Sequence, residues 1–171
     1  RDLHSFPTRR SSDLNMLHYI DDVNAADQAV KICRINVNTS ARNIREMALN
    51  NDTSAYDSYE QNVKKLLTEV DSQLEILKKT KVLPDEEYNE YASALSDWGN
   101  IGYSIIEEIK NGEKEKAIDE IFNSCTPALN KLVEIAIRLD EITDEVSEQS
   151  ARTTIIFAVV GMVCIIICDL I

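Results

Sequence analysis

The chain has 171 residues, a formal net charge of −12, four glycines and three prolines. Such scarce turn residues, together with 28% charged residues, favour long helices and argue against a β-sandwich or a disordered chain. The acidic excess argues against nucleic acid as a partner, because binding nucleic acid requires a basic face. The excess lies mainly in residues 82–152, which hold 17 acidic and 6 basic side chains, whereas residues 15–81 hold 10 and 9.

The first fourteen residues, RDLHSFPTRRSSDL, resemble an in-frame translation of a sequencing-library adapter. The match includes the run TRRSSDL at residues 8–14. Such a segment is set aside before the fold is considered. We therefore expect residues 1–14 to be an adapter-derived artefact outside the fold, and we expect the native N-terminus to be missing.

Heptad spacing of apolar side chains predicts a first helix that ends at the turn of residues 50–52. Its stripe is formed by Met16, Val23, Val30, Val37 and Ile44, with Ala26, Cys33, Ser40 and Met47 in the intervening positions. A second helix is expected to begin at Ser54, whose hydroxyl could cap it. The apolar stripe of this second helix is Tyr59, Val63, Leu66, Val70, Leu74 and Leu77.

A third helix is predicted after Pro84 and is expected to end at Asn111 and Gly112, a C-cap signal. Its stripe is Tyr88, Tyr91, Leu95, Trp98, Gly102, Ile105 and Ile109. A fourth helix contains Pro127, which should kink or divide it. Short connections between long helices predict an all-α, antiparallel up-down-up-down four-helix bundle over residues 15–152.

The end of the chain differs from these helices because residues 155–168 carry no charge. The run is apolar on every face, which is typical of a membrane helix, although fourteen residues are fewer than the ~20 that span a bilayer. A buried core helix is the alternative. We predict that the bundle continues into a transmembrane helix, truncated in this chain, at residues 153–171.

The layout resembles the four-helix-bundle ligand-binding domain of bacterial methyl-accepting chemotaxis receptors. The resemblance rests on the arginines of SARNIREMAL, on a tryptophan in the third helix, and on the turn NGEKEKAIDEI before the proline-containing SCTPALNKL. It implies an extracytoplasmic sensor domain at residues 15–152, anchored in the cell membrane, that controls a cytoplasmic output module in chemotaxis. The same input domain is also found on sensor histidine kinases and cyclic-nucleotide enzymes.

No catalytic constellation, metal motif or cofactor motif is present in the sequence, so we expect neither an enzyme nor a cofactor. The carboxylates of Glu107 and Glu108 are interpreted as part of a solvated face. Cys33 and Cys125 occupy core-type positions and are expected to be buried free thiols. A disulfide between them remains the alternative, and it requires Cα atoms within about 7 Å.

The first helix carries a cationic stripe whose members are spaced by three or four residues and therefore share one face. The stripe consists of Lys31, Arg34, Asn38, Arg42 and Arg45. Ion pairs with the acidic second half of the chain are one interpretation. In the resembling aspartate receptors, first-helix arginines hold the ligand carboxylate, so the resemblance implies a site for a small anionic or amphoteric solute at Arg42 and Arg45. Core packing is the alternative for Trp98, which we also predict to line the site.

A homodimer is predicted from the small residues Ala26, Cys33 and Ser40, which would let two first helices approach closely. Two functions remain open. One is a receptor input domain whose fourth helix moves slightly when solute binds. The other is a tail-anchored coiled-coil tether, for which Ile171 would be the true end of the protein. Genomic sequence beyond Ile171 distinguishes the two.

Overall fold

The computed structural model describes residues 8–169. Within that range the first helix, α1, spans Thr8–Leu49 and is followed by a 3₁₀ turn at Thr53–Ala55. Helix α2 spans Tyr56–Thr80 and α3 spans Asp85–Lys110. A short helix, α4, spans Lys114–Glu120, a π-helical turn follows at Ile121–Cys125, and α5 spans Thr126–Asp169.

Contacts between side chains show that neighbouring helices run in opposite directions. Arg34 and Arg45 of α1 contact Asp140 and Thr126 of α5, so the order of residues is reversed. Between α1 and α2, Cys33 contacts Val70 and Asn43 contacts Asn62. Lys110 of α3 pairs with Glu60 of α2, and Arg138 of α5 pairs with Glu87 of α3. The described residues thus form a bundle, with α4, the π-helical turn and α5 making up its fourth rod.

The core lies along the apolar stripes that the sequence predicts. Every member of the first-helix stripe from Val23 to Ile44 is at most 3% exposed. The α3 stripe is buried from Tyr91 to Ile109, with Trp98 and Ile105 at 0%. Burial of each large aliphatic side chain stabilises a fold by about 1.5–3 kcal/mol. The helical periodicity therefore accounts for the assembly of the bundle.

The helix ends follow local capping rules, with one difference from expectation. Asn111 and Gly112 end α3 as predicted: Gly112 has φ 84° and its N–H bonds the carbonyl of Ile109, while the N–H of Glu113 bonds that of Glu108. Glycine adopts this left-handed conformation without strain. The predicted Ser54 cap is wrong, because the acceptor is the Asp52 carboxylate, which takes the Ser54 N–H at 3.0 Å.

The predicted effect of Pro127 is confirmed as a π-helical turn. Proline has no N–H and its ring clashes with the carbonyl four residues earlier. The helix widens just before it, so that the N–H and the hydroxyl of Thr126 both bond the carbonyl of Ile121. The fourth rod is therefore divided at Ile121–Cys125.

The predicted dimer face is wrong. Ala26, Cys33 and Ser40 are each 0% exposed inside their own bundle, so they cannot pack against a second copy. Small residues at these positions instead let α1 and α2 lie close, as the contact of Cys33 Sγ with the Val70 carbonyl shows. The homodimer itself stays a prediction, and it needs a different surface.

The two ends of the chain are described only in part. Helix α1 includes residues 8–14 of the segment interpreted as adapter-derived, and residues 1–7 lie outside the described residues, so the boundary at residue 14 stays a prediction. Across the described residues, no helix combines the length and the apolar character that crossing a bilayer requires. Residues 170 and 171 of the predicted transmembrane segment are outside the description.

Candidate functional site

The cationic stripe of α1 divides into paired and unpaired members. Arg34 Nη1 lies 3.0 Å from Asp140 Oδ2 of α5, across the seam between the two helices. Lys31 pairs with Asp27 one turn earlier at 2.6 Å. The amide of Asn38 donates to the Arg34 carbonyl at 2.8 Å. This part of the stripe therefore carries out the ion pairing that was one of the two interpretations.

Arg42 lies on the outside of the bundle. Its side chain is 70% exposed, and its Nε is 3.8 Å from Glu46 Oε1, one turn along the same helix. An exposed pair of this kind contributes little to stability, because water screens both charges. Within the described chain, the guanidinium group of Arg42 therefore makes no strong stabilising interaction.

Arg45 is half-buried and faces the π-helical turn. Its Nη2 donates to the Thr126 hydroxyl at 3.3 Å. In the part of the chain that the structure describes, no carboxylate pairs with this guanidinium. Arginine offers five donors in a planar fork that fits a carboxylate in bidentate fashion. Arg45 therefore keeps most of its hydrogen-bonding capacity for another group.

Trp98 is completely buried on the inner side of the same region. Its indole N–H has no acceptor of good geometry and is directed at the sulfur of Cys125, a weak acceptor. Burial raises the pKa of the Cys125 thiol, whereas the charge of Arg45 and the contact with Trp98 lower it. The structure thus brings Arg45 and Trp98 close to Cys125. Arg42 is not part of this group.

Cys33 and Cys125 are free thiols, and each is buried. Cys33 contacts the Val70 carbonyl, whereas Cys125 lies beside Trp98 at another level of the bundle. Burial raises the pKa of the Cys33 thiol to about 12. A thiol held in this form does not react as a nucleophile near neutral pH. The interpretation as buried free thiols is confirmed, and the disulfide alternative is wrong.

The interpretation of Glu108 as a solvated carboxylate is also wrong. Its residue is only 7% exposed, and one of its carboxylate oxygens has no hydrogen-bond partner. It follows Glu107, which is exposed, because the two positions are about 100° apart on α3. The signal in the sequence was the position of Glu108 between the stripe residues Ile105 and Ile109.

The sequence also gave no indication of a cavity of about 380 Å³ where α2 begins and α3 ends. It is lined by Thr53, Tyr56, Asp57, Ile109, Lys110, Gly112 and Lys114. Lys110 is already paired with Glu60 at 2.6 Å, and the Lys114 ammonium bonds the Asn50 carbonyl and lies 5.6 Å from the centre of the Tyr56 ring. Because both lysines are occupied within the chain, the cavity is a weaker candidate anion site than Arg45.

These features define an all-α bundle module with an unpaired arginine beside an irregular turn of its fourth rod. The chain belongs to the family of four-helix-bundle sensory modules for signal transduction, whose family model matches residues 19–165. The match confirms the resemblance stated from the sequence. Neither the curated proteins nor the solved structures contain a significant match to the chain.

Proposed function

We propose that the chain is the extracytoplasmic ligand-sensing part of a bacterial transmembrane chemoreceptor. In this proposal residues 15–152 lie outside the cytoplasm and bind a small solute. The fourth rod passes the resulting movement through the cell membrane to a cytoplasmic output module that serves chemotaxis. Membership in a family of sensory modules supports the sensing role.

The observation that carries the proposal is the continuity of α5. The helix starts at Thr126 beside the candidate site, contributes Leu132 and Leu139 to the core, and continues without interruption to Asp169. A continuous helix can transmit a small shift along its length, provided that ligand contacts differ between two states.

The apolar end of α5 supports a membrane location. Its exposed side chains are Ile155, Ile156, Val159, Val160 and Met162, each between 49% and 63% exposed. Apolar surface of this extent is unfavourable in water and is typical of a surface that another apolar phase covers. A bilayer would cover it on all sides, which fits a run that has no polar face.

We propose Arg45 as the principal ligand-binding residue, with the Thr126 hydroxyl beside it. A carboxylate bound there would gain charge-assisted hydrogen bonds, each worth about 1.5–3 kcal/mol. Since Thr126 lies at the π-helical turn, the ligand would contact the very point at which the fourth rod is irregular. Trp98 would line the inner side of the site through Cys125.

Arg42 joins this site only if a second copy of the chain covers the outer face of α1. Ile35, Arg42 and Leu49 lie seven residues apart on that face, and the two apolar side chains are 62% and 76% exposed. Heptad spacing of this kind is suited to helix pairing. We propose a homodimer through this surface, which replaces the buried small residues of the original expectation.

The dimer is tested by disulfide crosslinking in membranes. Ile35→Cys should form a covalent dimer under mild oxidation, since it is exposed on the proposed surface. Thr68→Cys, on the exposed side of α2, is the matched control and should stay monomeric. Equal crosslinking of both variants would count against this face.

The topology is tested with the full-length receptor in intact cells. Phe122 is 69% exposed in the π-helical turn, so a cysteine at this position can be labelled without disturbing the core. A membrane-impermeant maleimide should label Phe122→Cys before lysis. Labelling that requires lysis would place the bundle in the cytoplasm and contradict the proposal. The fraction of protein that resists alkaline extraction from membranes gives an independent check of anchoring.

A further inference from the structure

A buried carboxyl group and a half-buried one meet where α3 and α4 pack together. Glu108 of α3 and Glu120 of α4 lie within hydrogen-bonding reach of each other. One oxygen of each, Oε2 in both cases, is buried and has no hydrogen-bond partner. Two ionised carboxylates offer only acceptors, so they cannot satisfy each other. A single proton between them turns one into a donor and satisfies both buried oxygens.

The positive charge near Glu108 and Glu120 is too small to neutralise both carboxylates, so one proton can still bind. Lys116 pairs with Glu108 Oε1 at 2.8 Å and with the exposed Glu113 at 3.4 Å. One ammonium group therefore serves several carboxylates. The Ser104 hydroxyl of α3 lies on the Glu120 side, and the charge of Arg45 of α1 acts on Cys125, the last residue of the π-helical turn. Around the pair the described structure thus places the charged Lys116 and Glu113 and the neutral hydroxyl of Ser104.

The electrostatics of Glu120 agree with this geometry. Burial raises the pKa of its carboxyl group, and the charge and hydrogen bond of Glu108 raise that pKa further, whereas Lys116 and Ser104 lower it. Like charges at close range cannot both ionise without a large cost. The proton that such a pair holds belongs to both groups rather than to one residue.

We propose that Glu108 and Glu120 form a proton-binding site by which the bundle responds to pH. The bound proton joins α3 to α4 by a carboxyl–carboxylate hydrogen bond. When the proton leaves, the two like charges repel each other and α4 separates from α3. Glu120 directly precedes the π-helical turn, so this separation shifts the start of α5. The stimulus is the proton itself, and the inference does not depend on the solute site at Arg45.

The sign of the effect on stability follows from linkage. Because the pKa of Glu120 is higher in the folded state than in the unfolded chain, the proton stabilises the fold below the unfolded pKa, which is about 4.3 for glutamate. That contribution is lost as pH rises through the folded pKa. Glutamine keeps the shape of the protonated side chain and cannot ionise, so it should remove the effect.

The test measures the melting temperature of the full chain in neutral detergent as pH rises from about 4.3, the unfolded value for glutamate. The wild-type melting temperature should fall relative to that of Glu120→Gln as pH rises. Glu108→Gln should flatten the profile in the same way, and the double variant should add little. Glu107→Gln, the exposed neighbour, is the matched control and should follow the wild type.

Two spectroscopic readouts make the test independent of stability. The infrared difference spectrum of the wild type should show a carboxylic-acid C=O band that disappears as pH rises, and Glu120→Gln should lack the change. Trp98, the single tryptophan, lies beside Cys125 at the end of the π-helical turn, so its fluorescence should change over the same pH range. The proposal is overturned if the wild type and Glu120→Gln have parallel melting profiles and the same infrared change.

Discussion

Two arginines on α1 face the same neighbouring helix and have different surroundings. Arg34 meets a carboxylate of α5, with 3.0 Å between its Nη1 and Asp140 Oδ2. Arg45, three turns further along, meets only the Thr126 hydroxyl at 3.3 Å. Both side chains are partly buried. An arginine thus forms an ion pair between α1 and α5 in one region, and in the other its guanidinium group can still bind an anion.

The difference lies in the fourth rod and not in α1. Around Asp140 the rod is a regular helix, so an acidic residue can point steadily at Arg34. Just before Thr126 the rod passes through the π-helical turn, which the following Pro127 accounts for. Turns of this kind occur frequently at functional sites. Arg45, which has no carboxylate partner among the described residues, is therefore the proposed binding residue, whereas Arg34 serves the packing of α1 against α5.

The largest expected effect concerns the core behind Arg45. Trp98→Ala should destabilise the bundle by about 3–5 kcal/mol, because it removes a completely buried indole. Chemical denaturation followed by circular dichroism measures this loss. Trp98→Phe keeps one aromatic ring and leaves a smaller cavity, and the N–H that it removes has no good acceptor, so it should cost less than the alanine variant. A small loss for the alanine variant would mean that Trp98 does not carry core packing in this region.

A smaller effect is expected for the alanine variants of Arg34 and Arg45, which should differ in the free energy of unfolding that they lose. Arg34→Ala should cost about 1–2 kcal/mol, between the values for exposed and buried pairs, because it leaves the Asp140 carboxylate partly buried and uncompensated. Arg45→Ala should cost less, since only one long hydrogen bond to a hydroxyl is lost. Thermal unfolding of both variants side by side measures the order. A larger loss of stability for Arg45→Ala than for Arg34→Ala would contradict the interpretation that Arg34 is the structural arginine and Arg45 is not.

The smallest effect tests a paired region elsewhere in the bundle. Glu60 is nearly buried and accepts hydrogen bonds from Lys110 and Lys64, which lower the pKa of its carboxyl group. Its stabilising contribution is therefore present above the unfolded pKa, about 4.3, and is lost as pH falls through the folded pKa. Glu60→Gln should cost about 1 kcal/mol near neutral pH, since both lysines remain partly solvated.

The pH profile of Glu60→Gln should run opposite to that of Glu120→Gln. The difference in melting temperature between wild type and Glu60→Gln should shrink on acidification, whereas the penalty of the ionised Glu108–Glu120 pair grows as pH rises. Measuring both variants in one buffer series provides an internal control. A difference for Glu60→Gln that stays constant down to about pH 3 would contradict the pairing.

The helices and their apolar faces could be predicted because periodicity reports burial directly. Val30, Val37 and Trp98 lie in the core as their spacing requires. The position of Pro127 likewise indicated a break in the fourth rod, although not that the break would be a π-helical turn. These features depend on residues near one another in the sequence, so local rules were sufficient.

Features that depend on which helices meet could not be predicted in this way. Ala26 and Cys33 have the size suited to a close helix pair, and the sequence cannot say whether the partner is α2 or a second chain. Glu108 is buried because α4 packs over it, whereas its neighbour Glu107 is not covered. In the same way, the charge of Asp140 opposite Arg34, and the lack of such a charge opposite Arg45, emerge only when α1 and α5 are placed side by side.

The most direct test of the account compares ligand binding at the two arginines. The full chain in neutral detergent is screened by thermal shift against amino acids and small organic acids. We expect at least one carboxylate-bearing solute to raise the melting temperature of the wild type. Its affinity should fall about ten- to hundredfold in Arg45→Ala, which corresponds to the loss of one charge-assisted contact, and should stay unchanged in Arg34→Ala. Equal affinity for all three proteins would contradict the claim that Arg45 is the ligand-binding arginine of this sensory module.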